Sequence, residues 1–124
     1  MPPYAPASPA AYRQQEILTA TPGRLVVMLY DGVNRFLFQA VHAMREGDVA
    51  KAGQRLSRAE AIIEELLNTL DLEQGGQIAS RLQGIYVFHL RHLGEARRNQ
   101  DADAIDTVRE QLAELRDAWV EIAV

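Results

Sequence analysis

Three histidines, one acid inside an apolar run and a few glycines are the residues here whose types and spacing could do chemistry. His89 and His92 stand three apart, so a helix puts them on one face where they could in principle hold a metal. No glutamate lies three residues before His42, His89 or His92, so the Glu-x-x-His pairs of di-iron bundles are absent. A phosphorelay bundle needs an exposed histidine followed by a basic residue and glycine. His89-Leu90-Arg91-His92-Leu93-Gly94 has those ingredients in the wrong order. The reading preferred for His89 is a hydrogen-bonded histidine of a core or groove. Asp31 can pair with Arg35 at i+4, worth a few tenths of a kcal/mol on an exposed face. No second carboxylate at a fixed helical spacing makes it an acid/base dyad, so it reads as a residue at a groove edge or in a solvated pair. Gly75-Gly76 has no Lys-Ser/Thr after it and reads as a hinge, not a phosphate loop. With no cysteine there is no disulfide, thiolate metal site or thiol nucleophile. No catalytic residue, metal ligand or cofactor site follows from these residues.

The elements that hold them are helices. All five prolines fall at or before Pro22, so the remaining 102 residues lack the residue that breaks helices. Residues 1–20 read as a flexible, extended, Pro-rich tail, and 21–124 as an all-α antiparallel four-helix bundle. Start and stop signals place the helices at about 21–46, 48–70, 77–98 and 104–122. Thr21-Pro22 and Asp48 begin the first two, Gly47 ends the first, and Asp101 or Asp103 caps the last. Gly32, in the middle of the first helix, costs about 1 kcal/mol against alanine. Close approach of a backbone, from a neighbouring helix or a bound peptide, is the usual compensation.

Composition bounds what such a bundle can be. The 124 residues suffice for one core without staples. Thirteen basic against 17 acidic residues give a net charge of −4, and the basic residues form no block, which argues against nucleic acid. No run is long and apolar enough for membrane insertion. No signal peptide is visible, and the lack of cysteine fits a reducing compartment.

Two helices carry more apolar surface than a bundle seam needs. In the second, Ala52, Leu56, Ala59, Ile63, Leu66 and Leu70 give a narrow stripe, as do Ile105, Val108, Leu112, Leu115, Trp119 and Ile122 in the fourth. In the first, the stripe from Leu25 to Val41 sweeps roughly 160°. Val27 and Phe38 fall beyond it, beside Asp31 and Asn34. The third holds Ile78, Ala79, Leu82, Ile85, Tyr86, Leu90 and Leu93 on one face, with Val87 and Phe88 outside. The surplus means either two deeply buried helices with a few ordinary exposed apolar residues, or a groove for a partner.

The run Ala11-Tyr12-Arg13-Gln14-Gln15-Glu16-Ile17, then Thr19-Ala20-Thr21-Pro22 and Met28-Leu29-Tyr30-Asp31-Gly32, resembles the opening of the flagellar secretion chaperones of the FliS family. So do Glu46-Gly47-Asp48, Leu70-Asp71-Leu72-Glu73-Gln74-Gly75-Gly76, Ile85-Tyr86 and Asp117-Ala118-Trp119. The resemblance implies a cytoplasmic four-helix bundle, not an enzyme. Its implied partner is the disordered C-terminal segment of flagellin, held against premature polymerisation and delivered to the flagellar export gate. It also implies that the N-terminal segment, with Tyr12, folds over the binding site when flagellin is absent. Four prolines precede Tyr12, Val87 stands where the family commonly has an acid, and His89 where it has an apolar residue.

The partner surface expected from resemblance and helical angles together is Tyr12, Ile17, Val27, Asp31, Phe38, Ile62, Val87 and Phe88. The competing reading is a self-associating structural bundle in which the same surplus forms a homodimer seam.

Overall fold

A computed structural model describes residues 22–123 of the chain, with side chains through Glu121. Four helices fill it: α1 (Pro22–Arg45), α2 (Val49–Asn68), α3 (Gly76–Asn99) and α4 (Ala102–Ala123). No strand occurs among the described residues. Thr21 and the covering segment around Tyr12, Ile17 and Leu18 lie outside them.

Local chemistry explains the joins. Gly47 adopts φ 81 after α1, and the Asp48 side chain accepts from the Lys51 amide at 3.1 Å to start α2. Gln100 stands in the left-handed region at φ 50, and its side chain donates to the Arg97 carbonyl at 2.8 Å. Asp101, not Asp103, caps α4 by accepting from the Ala104 amide at 3.1 Å, so that helix begins two residues before the expected position. Joins this short return each helix beside its predecessor.

The packing is lopsided. α1 lies closely against both α2 and α4, whereas α3 touches the same two helices more sparingly. Val33, Leu37 and Ala40 of α1 meet Leu56, Ala59 and Ile63 of α2 and Ile105, Val108 and Leu112 of α4 in a sealed core. α3 joins that core through Tyr86, near its midpoint, and through Leu93 and Ala96 beyond it. Before Tyr86 its one buried residue is Ala79, which is outside the cluster. Among the described residues, four helices therefore seal one end of the bundle, and the other end stays open.

Polar clasps reinforce the sealed end. Arg97 of α3 reaches Glu60 of α2 at 2.6 Å and the Ser57 hydroxyl at 3.1 Å. Arg45 of α1 reaches Asp103 of α4 at 2.9 Å. Solvent limits such pairs to about 0.2–1 kcal/mol each, so apolar burial dominates. Truncating Leu56→Ala or Leu93→Ala should cost about 2–5 kcal/mol in urea unfolding. Asp48→Ala should cost about 1 kcal/mol, through the lost cap alone.

A candidate partner-binding cleft at the open end

The amino-terminal halves of α1 and α3, the end of α2 and the carboxyl-terminal part of α4 surround a cleft of about 1130 Å³. Its walls are apolar. Leu25, Val26, Met28 and Leu29 come from α1, Leu66 from α2, Leu70 from the join after it, and Ile78, Ala79 and Leu82 from α3. Asp31, Arg35, Glu65 and Asp71 set a charged rim. Leu25, Leu29 and Leu82 belong to the wide stripes, and they remain half-buried because α3 stands away from the core along this half, whereas Leu66 is buried in the core.

At the inner end, Tyr86 and Trp119 line the cleft. The Tyr86 hydroxyl is hydrogen-bonded to that of Tyr30 on α1, and Trp119 of α4 is half-buried against the core. Burial pushes both phenols above their ordinary 10.0. They therefore stay protonated at neutral pH, each able to donate as well as accept. This pairing ties α1 and α3 together at the point where the sealed core ends.

The mouth is fixed by the turn between α2 and α3. The Asp71 carboxylate accepts from the amides of Glu73 at 3.2 Å and Gln74 at 3.0 Å, and its carbonyl accepts from Gly75 N–H at 2.7 Å. A Cβ on Gly75 would sit 2.6 Å from both that carbonyl oxygen and the Ala79 Cβ, so only glycine fits. Gly76 follows at φ 56. The expected hinge is thus a closed, hydrogen-bonded turn.

Of the expected partner residues that fall within the described region, Asp31 alone lines the cleft. Its partner is not Arg35. Arg116 of α4 reaches it at 2.9 Å, while the Arg35 guanidinium lies over the Phe36 ring at 5.8 Å. Val27 is buried, at 7% exposure, because packing on both α2 and α4 widens the buried arc of α1 beyond a single stripe. Ile62 is half-buried against the core. Phe38, Val87 and Phe88 are exposed but stand outside the cleft: Phe38 stacks on His42 and lies under the Arg109 guanidinium, and Phe88 tilts against His92. Tyr12 and Ile17 lie outside the described residues. Of the residues that do line the cleft, Leu25, Leu29, Ile78, Leu82, Tyr86 and Trp119 stand on the stripes themselves, and Met28 was not singled out. The signal that could have found them was the width of the stripes, not the residues beyond their edges.

The histidines do not converge. His89 is 2% exposed and bonds Gln111 of α4 through Nε2 at 3.0 Å, whereas His42 is exposed beside Glu46 at 3.7 Å. Among the described residues no group of three or more His, Cys, Asp or Glu is placed to hold a metal, and no helix is long and apolar enough to cross a membrane.

The family described as flagellar protein FliS matches residues 4–124. The chain belongs to the FliS family. Relatives named flagellar secretion chaperone FliS include that of Salmonella typhimurium, 37% identical over 111 residues, covering 89% of this chain and 82% of the relative. The Campylobacter jejuni protein is 36% identical over 112 residues, covering 90% and 88%. That of Bacillus subtilis is 32% identical over 109 residues, covering 88% and 80%. In this FliS-family bundle, then, the surplus apolar surface of α1 and α3 becomes a cleft at one end.

Burial holds the His89 pKa below its ordinary 6.5. With the folded value lowered, the stability that neutral His89 contributes is complete above pH 6.5 and is lost as pH falls below it, because the unfolded chain then binds the proton first. Urea titrations from pH 7.5 to 5 should show this loss, and His89→Phe should flatten it relative to the parent.

Proposed function

We propose that this protein is a flagellin export chaperone of the bacterial cytoplasm, without a catalytic step, that seats the C-terminal segment of flagellin in the open-end cleft. The observation that carries the reading is the cleft itself. A bundle that leaves leucines of two helices half-covered around about 1130 Å³ has built an apolar surface for a helical guest. A segment disordered until bound can wrap such a surface, its apolar burial offsetting the cost of ordering it. Occupancy hides the adhesive helix of flagellin from other flagellin copies, and release at the flagellar export gate returns it.

Exposed Phe38, Val87 and Phe88 extend the apolar surface outside the cleft, Asp31 marks its rim, and Val27 and Ile62 support the helices from behind. Tyr12 and Ile17, on the segment 1–20, compete with the client for the cleft. Nothing in the family match or the named relatives favours a self-associating structural bundle.

Calorimetric titration of the chain with the C-terminal segment of its own organism's flagellin tests the reading. One-to-one binding with a large negative heat-capacity change is expected, and absence of binding by the folded bundle would reject it. Leu29→Asp or Leu82→Asp should weaken binding by at least about tenfold, since each puts a charge on a surface that must be desolvated. Circular dichroism should show the bundle still helical. Removing residues 1–18 should tighten binding, whereas an unchanged affinity rejects the covering role.

A further inference from the structure

Gly32 is buried in the middle of α1, and it lines the cleft. A Cβ built on it meets one atom within 4 Å among the described residues, the Ile62 Cδ1 of α2 at 3.2 Å. That atom is the free end of a flexible side chain, not backbone. An alanine methyl would move it by a few tenths of an ångström and would gain helix propensity. Among the described residues no neighbouring helix backbone approaches here, so their packing supplies no reason for glycine. Gly75, whose Cβ would strike a carbonyl oxygen, is the contrasting case.

The surroundings give the position a shape. Leu25, Met28, Leu29 and Arg35 line the cleft from the same helix, seven, four and three residues before Gly32 and three after it. They form a ridge along α1, and the missing side chain at residue 32 cuts a notch across it with the Ile62 tip at one side. Helices pack by placing a side chain of one into such a gap in the other.

We infer that Gly32 is a specificity-determining residue of the cleft: its notch receives an apolar side chain of the flagellin C-terminal segment. The inference rests on the cleft being the flagellin site. Client binding, rather than the fold, is then what requires glycine here. A substituent at this position fills the space that the guest needs and leaves the bundle intact.

The test uses the full chain with Gly32→Ala and Gly32→Leu, titrated calorimetrically with the flagellin C-terminal segment and melted in parallel. The melting temperature of Gly32→Ala should be unchanged or raised, while its affinity falls several-fold. Gly32→Leu should lose up to about a hundredfold, the effect of overfilling a packed contact. A third variant, Gly32→Ala with Ile62→Val, separates a filled notch from a displaced neighbour. Shortening residue 62 relieves the contact between the two residues but leaves the methyl in the notch, so affinity should stay low. Recovery of affinity in that variant would overturn the inference. So would undiminished binding by a folded Gly32→Leu protein, which would leave the flagellin reading standing. Should the leucine variant not fold, Gly32→Ala decides in the same way. Failure of the unsubstituted chain to bind the segment would overturn the flagellin reading and this inference with it.

Discussion

The structure depends on how α3 is held. Tyr86 at its middle and Leu93 and Ala96 beyond anchor it in the common core, and the part before Tyr86 has no equivalent anchor. The hydroxyl contact between Tyr86 and Tyr30 marks the boundary. Beneath it, α3 completes a sealed four-helix core. Beyond it, α3 is the far wall of a cleft. Were the first half drawn in as tightly as the second, the leucines of α1 and α3 would be satisfied by one another, and no space would remain.

Leaving them apart has a thermodynamic cost of the kind functional surfaces carry. Half-covered leucines forgo about 25 cal/mol for each Å² of apolar surface left in water. The sealed end compensates through complete burial of its core residues and through the Arg97–Glu60 and Arg45–Asp103 clasps. The tyrosine pair lets two buried polar groups satisfy each other at the boundary, where an unpartnered hydroxyl would be costly.

Much of this was legible in the sequence. Proline confined to the first 22 residues, caps at Asp48 and Asp101, and stripes of unequal width specify four helices and single out α1 and α3. What stayed hidden was which part of each stripe remains open. An ideal helical wheel ranks residues by angle, and it places Val27 and Phe38 together outside the stripe. The real helix has two neighbours, so Val27 is covered and Phe38 is not. The cleft is set by position along the axis rather than by angle: Leu29 and Leu37 both belong to the stripe, yet one faces the opening and the other the core. Asp31 shows the same limit. Spacing of four suggested Arg35, but the partner came from α4, 85 residues away in sequence.

The turn at Asp71–Gly75 bears on kinetics. A mouth closed by backbone hydrogen bonds, around a glycine with no room to become anything else, does not have to be assembled when a guest arrives. The conformational search on encounter then falls to the guest, whose ordering sets the entropy of association. Guests of similar length and charge should arrive at similar rates. Differences among them should appear in how long each stays, since related complexes vary mainly in their dissociation. For a carrier that must surrender its cargo, residence time is the quantity that a preformed mouth leaves free to be tuned.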